Sequence, residues 1–458
     1  MRPSWHVCPP TMAFLLSGRN WVVKHRGAPR PPLAVRHGST IVRTVTRGPD
    51  TIAIIGGGPA GGLLAARLAR AGRRVVIFAK RKRPPLVIGE SLVPAIVPFL
   101  RELGIEDEVR SYSTYKPGAT WVLEPDRILS FRFENVRKAR TRYSYNAPRD
   151  RFDESVLQAA VRSGAALCDT TAVLERAGGD GVRLSDTTLA ATNGILSEQP
   201  DLIVDASGRA RVLSNLLDVP AIVGERRDTA LFAHLEGVPV IVPGNVHIDR
   251  LARGWAWRIP LPGRVSVGLV VDTDHIRTFG ETAEAQFDAY VAADPVIRRW
   301  NASVRRLTPV MKYTNYQLAS TRGVGDGWAL VGDAFGFIDP IFSSGLLVSL
   351  DAATALADAV IDGSRRALKR YERRVLNHLA AWRRAVGYFY DGRLFTLIEV
   401  GEEARQHWIG RLLDPHFNTH FPRVFTGERT TKRYSLGLLS FMCRHSLGDR
   451  DPARLRVH

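Results

Sequence analysis

The pattern of apolar and polar positions becomes regular near residue 50, where short apolar runs begin to alternate with amphipathic stretches. The run Ile52–Ile55 is rich in β-branched residues, which predicts a strand buried on both faces of a parallel sheet. A glycine-rich turn, an alanine- and leucine-rich stretch and a second apolar run complete the segment Thr51–Phe78. This order predicts strand, turn, helix and strand, as in the first unit of an α/β fold.

The turn of this unit carries the spacing G-x-G-x-x-G at Gly56, Gly58 and Gly61. The first glycine allows a tight turn, the second lets backbone approach a diphosphate, and the third lets the helix pack against the strand. The first turn of the helix, with Pro59 and Ala60, would direct its unpaired N–H groups at that diphosphate. Because a strand precedes the motif and a helix follows it, the sequence predicts dinucleotide binding.

The residue that normally binds the ribose is missing from this unit. An acid is expected at the end of the second strand, where it hydrogen-bonds the ribose hydroxyls. The chain has Ala79 there, followed by Lys80. Ribose binding must therefore come from another segment, or be weaker. Further along the chain, Asp201–Arg209 is typical of a strand that ends in a turn at Asp205, which is suited to backbone contact with a cofactor.

The remaining pattern predicts a fold in several parts. Short strands that alternate with turns predict an antiparallel sheet inserted between pieces of the nucleotide-binding domain, and a helical pattern begins near residue 366 and becomes looser over residues 416–435. The predicted boundaries are a leader at 1–49, a nucleotide-binding domain at 50–110, 148–220 and 320–365, an inserted domain at 111–147 and 221–319, and a helical C-terminal region at 366–458.

Two tryptophans stand out in the inserted domain. Trp255 and Trp257 are two residues apart on a predicted strand, so both side chains project from the same face. Pro262–Gly263 predicts the turn of a hairpin directly after this strand. The pair is either large aromatic filling of a sheet face or the wall of a site.

The composition of the chain argues against a nucleic-acid partner, a membrane-spanning helix and a metal site. The formal net charge is +19, but the basic residues are scattered and no nucleic-acid-binding motif accompanies them, so nucleic acid is not expected as a partner. No apolar stretch is long enough to span a membrane. The cysteines Cys8, Cys168 and Cys443 show no paired or metal-ligating spacing, which predicts no metal site and favours a cytoplasmic, reducing location.

The first 49 residues contain no Asp or Glu and carry several arginines. Such a segment is typical of an organelle transit peptide, of a disordered basic tail, or of a start placed too early, with Met12 as an alternative first residue. We expect one of the last two, so the fold is expected to begin near residue 50.

Three stretches carry a resemblance to a known family: IGESLVPAIVPFLRELGI at Ile88–Ile105, DLIVDASGR at Asp201–Arg209 and WALVGDAFGFIDPIFSSG at Trp328–Gly345. Together they resemble the FAD-binding parts of flavoprotein monooxygenases, and more closely those of flavin-dependent halogenases. The resemblance implies an α/β Rossmann-type FAD domain like that of p-hydroxybenzoate hydroxylase, with an inserted antiparallel substrate domain. It also implies that FAD is bound by Gly332 and Asp333, the latter through the ribityl chain.

Further residues are assigned by the same resemblance. Glu90 and Ser91 belong to a GES motif that the phenol- and pyrrole-halogenating branch shares, and both are expected near FAD. Arg151, on a predicted helix that begins at Arg149, is a further possible contact to the cofactor, and a surface arginine is the other interpretation.

A halogenase motif, F-x-x-P-x-x-S-x-G, is present as Phe337, Pro340, Ser343 and Gly345, just before a long helix predicted over Leu346–Ile361. In the resembling family this segment lies over the flavin and helps to form a halide site, and the helix N-terminus also favours negative charge on the flavin. The free-tryptophan halogenases carry a glutamate between the proline and the serine. Here Ile341 and Phe342 replace it, which favours the phenol and pyrrole branch.

The resemblance also assigns a lysine and the two tryptophans. Lys116 lies in the setting K-x-G-A, 26 residues after Glu90, where the family keeps a lysine that hydrogen-bonds hypohalous acid or becomes a haloamine. Trp255 and Trp257 belong to the motif W-x-W-x-I-P, which is thought to keep flavin and substrate apart. Pro117 departs from the more common pattern around the lysine, and a solvated loop lysine is the plain alternative.

These observations lead us to expect an FAD-dependent oxidoreductase that oxidises an electron-rich aromatic ring through a flavin C4a-hydroperoxide. A separate flavin reductase would supply reduced flavin, with O2 and, for a halogenase, chloride or bromide as further reactants. The substrate is a small aromatic molecule or an aromatic side chain of a carrier or peptide. Two alternatives stay open: an aromatic hydroxylase, for example of protein-bound tryptophan during maturation of a quinone cofactor, and a flavoprotein-like partner-binding protein without catalysis.

Overall fold

The structure is a computed structural model that describes residues 48–80, 86–124, 126–300, 304–314 and 316–458. The leader predicted at 1–49 lies almost wholly outside these residues, as does Cys8. Two large sheets organise the described chain, and thirteen α-helices surround or extend them. Their arrangement matches the predicted fold class: a nucleotide-binding sheet, an inserted sheet domain and a helical C-terminal region.

The first sheet has six strands and forms around the segment predicted first. Its central strand Thr51–Ile55 pairs in parallel with the strands on both sides, as the fully apolar run led us to expect. Three of the five neighbouring pairs join strands from distant parts of the chain. In spatial order the strands are Val324–Gly325, Trp328–Leu330, Leu202–Asp205, Thr51–Ile55, Arg74–Phe78 and Ala166–Cys168.

Helices cover this sheet because their apolar faces repeat every three to four residues. The helix after the glycine turn spans Pro59–Arg70, and the long helix predicted over Leu346–Ile361 spans Gly345–Asp362. Both pack against each other, and the first also packs against the helix that begins at Arg149. The helices before residue 300 are Pro59–Arg70, Val97–Leu103, Glu106–Tyr112, Arg149–Arg162, Asp186–Ala190, Val212–Leu216, Thr273–Arg277 and Ala283–Ala293.

The second sheet has eight strands and corresponds to the predicted inserted domain. The predicted hairpin is present, with Gly263 at φ +71° in its turn. Our expectation of a purely antiparallel sheet was wrong in one pair, since Val246–Arg250 runs parallel to Gly118–Glu124. The strands are Arg305–Arg306, Asp228–Glu236, Arg264–Asp272, Trp255–Leu261, Val246–Arg250, Gly118–Glu124 and Arg127–Arg132 in spatial order, with Met311–Thr314 also paired to Asp228–Glu236.

Three small sheets complete the strands. They join Ala221–Val223, Leu318–Ser320 and Gly336–Phe337; Thr114–Lys116 and Ser144–Asn146; and Leu174–Arg176 and Val182–Leu184. The C-terminal region is helical, and the looser structure expected over residues 416–435 is largely absent, because one helix continues through Pro415 and Pro422 to Phe425. The helices after residue 300 are Gly345–Asp362, Arg365–Tyr390, Arg393–Ala404, Trp408–Phe425 and Arg433–His445. Among the described residues, no helix is long and apolar enough to cross a membrane.

Candidate active site

A cavity of about 400 Å³ lies where the two large sheets meet. One part of its wall is the glycine turn of the first sheet, and another is the tryptophan-bearing strand of the second. Most residues that the sequence predicted for the site line this cavity: Gly56, Gly58, Pro59, Ala60, Ser91, Trp255, Trp257, Gly332, Asp333, Phe337, Pro340, Ser343 and Gly345. The other predicted residues, described below, lie outside its lining: Gly61, Glu90, Lys116, Arg151 and Asp205.

The glycine turn has the geometry that its spacing predicts. Gly56 has φ +115°, and a Cβ atom there would lie 2.3 Å from the carbonyl oxygen of Ala206. A Cβ atom on Gly61 would lie 2.1 Å from the carbonyl oxygen of Gly56, so Gly61 allows the helix to approach the turn. At Gly58 a Cβ atom would meet nothing within 4 Å and would point into open space beside the cavity. The turn therefore leaves room for a diphosphate against its backbone.

Asp333 and Asp205 were both predicted to contact the cofactor, but only Asp333 lines the cavity. Asp333 lines the cavity beside Gly332, and burial raises the pKa of its carboxyl, partly offset by the charges of Arg149 and Arg209. Asp205 does not line the cavity. Its carboxylate accepts hydrogen bonds from the backbone N–H groups of Ser207 (2.9 Å) and Leu213 (2.8 Å), so it holds the turn after its strand instead.

Arg149, and not Arg151, occupies the cavity wall. On the helix Arg149–Arg162 these two residues point about 200° apart, since successive residues turn by roughly 100°. The exposed guanidinium of Arg151 lies 4.3 Å from the ring centre of Tyr112. The Arg149 guanidinium pairs with Asp153 (2.8 and 3.1 Å) and donates to the carbonyl of Ile88 (2.5 Å). The prediction for Arg151 is therefore corrected in favour of Arg149.

The different positions of Arg149 and Arg151 predict different effects of substitution at the two residues. Arg149→Lys should weaken FAD binding roughly 10- to 100-fold, because lysine cannot bridge Asp153 and Ile88, and one or two hydrogen bonds to a charged group, about 1.5–3 kcal/mol each, would be lost from the cavity wall. Arg151→Lys should bind FAD like the wild type. Titration of both apoproteins with FAD, followed by flavin fluorescence, measures the difference. Equal affinities for the two variants would contradict the assignment of Arg149.

The segment Phe337–Gly345 forms one side of the cavity. Gly345 must be a glycine because a Cβ atom there would lie 2.9 Å from the Phe337 ring. Ser343 has φ +53°, in the left-handed region, and its N–H donates to the carbonyl of Pro340 at 3.0 Å. This turn leads directly into the helix Gly345–Asp362, whose N-terminus has no side-chain cap. The backbone N–H groups at this end are suited to an anion.

The two tryptophans line the same cavity from the opposite sheet. Their side chains share one face, as predicted, with ring centres 5.8 Å apart and little exposure, 1% for Trp255 and 4% for Trp257. Trp257 lies over Gly268 of the neighbouring strand, where a Cβ atom would be 2.0 Å from the indole. Gly268 therefore makes room for Trp257. The indole N–H of Trp257 donates to Ser266 (3.3 Å).

Lys116 is fully buried, so the solvated-loop interpretation is wrong. Its ammonium nitrogen Nζ lies 2.7 Å from Ser91 Oγ and 2.8 Å from the carbonyl oxygen of Leu92. Ser91 itself lines the cavity, so Lys116 is one hydrogen bond away from it. No carboxylate pairs with Lys116 among these contacts, and burial lowers the pKa of its amine to about 7. A substantial fraction is therefore neutral and nucleophilic near neutral pH.

Glu90 joins the first sheet domain to the second. Its carboxylate lies 2.8 Å from Nε2 of His234, and Nδ1 of the same ring accepts a hydrogen bond from Nε of Arg264 at 3.0 Å. Because Nδ1 accepts this hydrogen bond, the ring proton lies on Nε2, which donates to Glu90. Glu90 thus fixes the segment that contains Ser91 and contacts Lys116.

Some residues of the cavity wall were not predicted from the sequence. Arg149 and Asp153 lie on the predicted helix that begins at Arg149, and their spacing of four residues places them on one face of it. Arg209 ends the predicted DLIVDASGR stretch, and its guanidinium lies 3.7 Å from the ring centre of Tyr313. Within the described part of the chain, no group of three or more His, Cys, Asp or Glu residues is placed to hold a metal ion.

The comparisons with known proteins agree with this geometry. The profile of a family described as tryptophan halogenase matches residues 51–133 and 118–393, which include both sheets and the whole cavity wall. The chain belongs to the tryptophan halogenase family. It is an FAD-dependent oxidoreductase of the halogenase and monooxygenase type, as the sequence resemblance implied. The alternatives of a hydroxylase and of a non-catalytic partner-binding protein are not favoured.

Relatives within this family act on several aromatic rings. A tryptophan 2-halogenase of Chondromyces crocatus is 28% identical over 74% of this chain and 67% of its own length. A flavin-dependent halogenase of Armillaria mellea is 29% identical over 68% and 66%, so this chain spans about two thirds of these relatives. A 1H-pyrrole-2-carbonyl-[peptidyl-carrier protein] chlorinase of Pseudomonas fluorescens is 25% identical over 74% and 83%.

Solved structures share the fold. The myxobacterial chondrochloren halogenase, a variant of the FAD-dependent halogenases, has 25% identity and a TM-score of 0.66, covering 88% of this chain and 98% of its own. A flavoprotein/dehydrogenase of Cytophaga hutchinsonii has 24% identity and a TM-score of 0.72, covering 86% and 99%, and supports the fold alone. One of the two residues that stand between Pro340 and Ser343 in place of the expected glutamate is Phe342, whose ring packs against Phe425 with centres 4.9 Å apart.

Proposed function

We propose that this protein halogenates an electron-rich aromatic ring of the phenol or pyrrole class. Bound reduced FAD would supply the oxidising equivalent from O2. The chain's own residues would hold the cofactor, bind halide and deliver the halogen. Gly56, Gly58 and the first turn of the helix Pro59–Arg70 are suited to the diphosphate, and Asp333 to the ribityl chain. The observation that supports this proposal most directly is the buried amine of Lys116, which is one hydrogen bond away from the cavity.

Lys116 fits the role of halogen carrier. Ser91 and Leu92 hold its amine in place, and no described residue offers it a paired carboxylate that would keep it charged. A neutral amine can attack the halogen of hypohalous acid, forming an N–halogen bond while hydroxide leaves and takes up the amine proton as water. The aromatic ring then attacks the halogen, the N–halogen bond breaks with its electron pair left on nitrogen, and the nitrogen takes up the proton that the ring loses. Alternatively, the charged amine hydrogen-bonds the hypohalous acid and orients it.

The walls of the cavity support the remaining roles. The uncapped N-terminus at Gly345 is suited to a halide, because it presents backbone N–H groups at the cavity, and the turn Pro340–Ser343 leads the chain into it. The indoles of Trp255 and Trp257 form a bulky wall opposite. Such a wall keeps an aromatic substrate away from the flavin and leaves passage to a small oxidant, which favours halogenation over direct transfer of oxygen.

The substrate branch and the partners belong to the same proposal. Phe342 in place of the glutamate disfavours free tryptophan, although a tryptophan 2-halogenase is among the relatives. Both free and carrier-tethered rings suit the proposal, since the pyrrole chlorinase named above acts on a carrier-bound ring. A separate flavin reductase would supply reduced FAD. The free thiols of the two described cysteines, Cys168 and Cys443, support a reducing, cytoplasmic location.

Product masses test the proposed reaction. The FAD-loaded protein, a flavin reductase and NADH are incubated with a phenol or a pyrrole in three parallel buffers that contain bromide, chloride or no halide. We expect a product in which one hydrogen is replaced by bromine, with its isotope pattern, or by chlorine, and no product without halide. A product that gains one oxygen atom equally in all three buffers would contradict halogenation and indicate the hydroxylase.

A further inference from the structure

A buried carboxylate that the proposed chemistry does not use lies next to the cavity. Asp339 is 1% exposed and directly precedes Pro340 in the cavity wall. Its Oδ1 atom accepts a hydrogen bond from the backbone N–H of Ile341 at 3.0 Å. This bond closes a turn at the start of Pro340–Ser343, and Ser343 N–H donates to the Pro340 carbonyl at the next step. The carboxylate thus shapes the segment assigned to halide.

The same carboxylate also reaches the tryptophan wall. Oδ2 of Asp339 accepts a hydrogen bond from the Tyr390 hydroxyl at 3.0 Å and from the Gln317 amide at 3.1 Å. The Tyr390 oxygen in turn accepts the indole N–H of Trp255 at 2.9 Å. Trp255, Tyr390 and Asp339 are therefore linked in one buried chain. Tyr390 ends the helix Arg365–Tyr390, so three distant segments meet at this point.

The charged and titratable groups around this chain are few and identifiable. Arg226 lies with its guanidinium 3.8 Å from the ring centre of Tyr390 and pairs with Asp228 at 2.7 and 2.9 Å. The Tyr316 hydroxyl is buried nearby and has no hydrogen-bond partner within the described chain. Since Arg226 is paired with Asp228, Asp339 has no cation of its own among these contacts, which favours its neutral form.

We propose that Asp339 and Tyr390 are positioning residues that hold the halide-binding turn and the Trp255 indole in register. This inference rests on the proposed function for its consequence in catalysis. In the neutral state Oδ1 still accepts from the Ile341 N–H, the carboxyl O–H on Oδ2 donates to the Tyr390 oxygen, and no buried negative charge opposes an anion at the adjacent turn. Ionisation of Asp339 would weaken halide binding.

The hydrogen bonds that Ile341, Tyr390 and Gln317 donate to Asp339 favour its ionised form, but burial outweighs them. Burial, together with the negative charge of Asp228, raises the pKa of the Asp339 carboxyl to about 7. The unfolded chain has the usual lower pKa, so it releases this proton first as pH rises. The stability that the neutral group contributes is therefore present in acid and is lost as pH rises through about 7.

Three variants test the proposal. Tyr390→Phe removes the hydroxyl that links Trp255 to Asp339, and Asp339→Asn keeps a neutral group of the same size. Tyr388→Phe is the matched control, because its hydroxyl lies two residues earlier on the same helix and has no hydrogen-bond partner among the described residues. Each FAD-loaded protein is assayed for the KM for bromide and for kcat, and each apoprotein is melted across the range from about pH 5 to pH 9.

We expect Tyr390→Phe to raise the KM for bromide roughly five- to tenfold, as for one lost hydrogen bond, with less effect on kcat, and Tyr388→Phe to match the wild type. The KM for bromide should rise with pH through about 7 in the wild type but not in Asp339→Asn. The melting temperature of the wild type should fall relative to Asp339→Asn over the same interval.

Equal KM values for Tyr390→Phe and Tyr388→Phe, or parallel melting curves for the wild type and Asp339→Asn, would overturn the proposal. If the wild type forms no halogenated product with any halide, the proposed function fails separately. The melting comparison then decides alone whether Asp339 carries a proton, because it needs neither cofactor nor substrate.

Discussion

Lys116→Met is expected to reduce formation of halogenated product by roughly 10²- to 10⁴-fold, the usual contribution of a positioned catalytic group. Methionine fills most of the space of the lysine stem but has no amine to bind or carry halogen. FAD affinity should stay within a few fold of the wild type, because Lys116 does not line the cavity. Product is measured by mass, and Lys369→Met, an exposed substitution on the helix Arg365–Tyr390, is the control.

The release of hypohalous acid by the variant distinguishes a catalytic role of Lys116 from a purely structural role. If Lys116 only carries the halogen, the variant should still oxidise bromide, and a reactive trap added to the solution should become brominated. If product is retained, the assignment of Lys116 is wrong. Loss of both product and trapped halogen, with FAD still bound, would place the lysine in halide oxidation instead.

The pH dependence follows from the same residue. Burial lowers the pKa of the Lys116 amine to about 7, so the neutral, nucleophilic form increases as pH rises through that value and then reaches a plateau. With halide saturating, the rate of product formation should show this ascending limb if the haloamine path operates. If the charged amine orients hypohalous acid, the limb should descend instead.

Gly58→Ala should weaken FAD binding by about two orders of magnitude or more, with little change in the melting temperature of the apoprotein. The backbone at Gly58 (φ −73°, ψ −179°) is open to any residue, and a Cβ atom there meets no protein atom within 4 Å. The same methyl group would stand where the second glycine of the motif lets the diphosphate approach the backbone. The substitution therefore separates binding from folding.

Substitutions at two other glycines, Gly61 and Gly387, serve as controls for this experiment. At Gly61 a methyl group would lie 2.1 Å from the Gly56 carbonyl, so Gly61→Ala should lower both stability and FAD binding. At Gly387, inside the helix Arg365–Tyr390, a methyl group meets nothing within 4 Å and lies outside the cavity lining, so Gly387→Ala should lower neither. FAD titration and thermal melting of the three apoproteins provide the comparison. Normal FAD affinity in Gly58→Ala would contradict the assigned diphosphate site.

Much of the site could be predicted because its residues lie in short motifs. The glycines between Gly56 and Gly61 and the segment Phe337–Gly345 each sit at one turn, where local spacing determines geometry. Alternation on a strand was sufficient to place Trp255 and Trp257 on one face. These inferences need only the periods of strand and helix and the conformational freedom of glycine.

The residues that were missed depend on contacts between distant segments. Arg149 and Arg151 look alike in sequence, and only the position of the helix against Ile88 decides which one faces the cavity. The role of Asp205 was misjudged for a similar reason, because its partner Leu213 lies in the next helix. The network at Asp339 joins Tyr390 and Trp255, which no local pattern connects.

The strand order of the first sheet also constrains how the chain folds. Thr51–Ile55 must pair with Leu202–Asp205, and that strand must then pair with Trp328–Leu330. During synthesis from the N-terminus, Thr51–Ile55 therefore keeps an open, apolar edge until Leu202–Asp205 has been made, and Leu202–Asp205 keeps one until Trp328–Leu330 follows. Such long-range closure is slow and exposes the edge to other chains. Yield in a foreign host should thus depend on translation speed and chaperones more than on final stability.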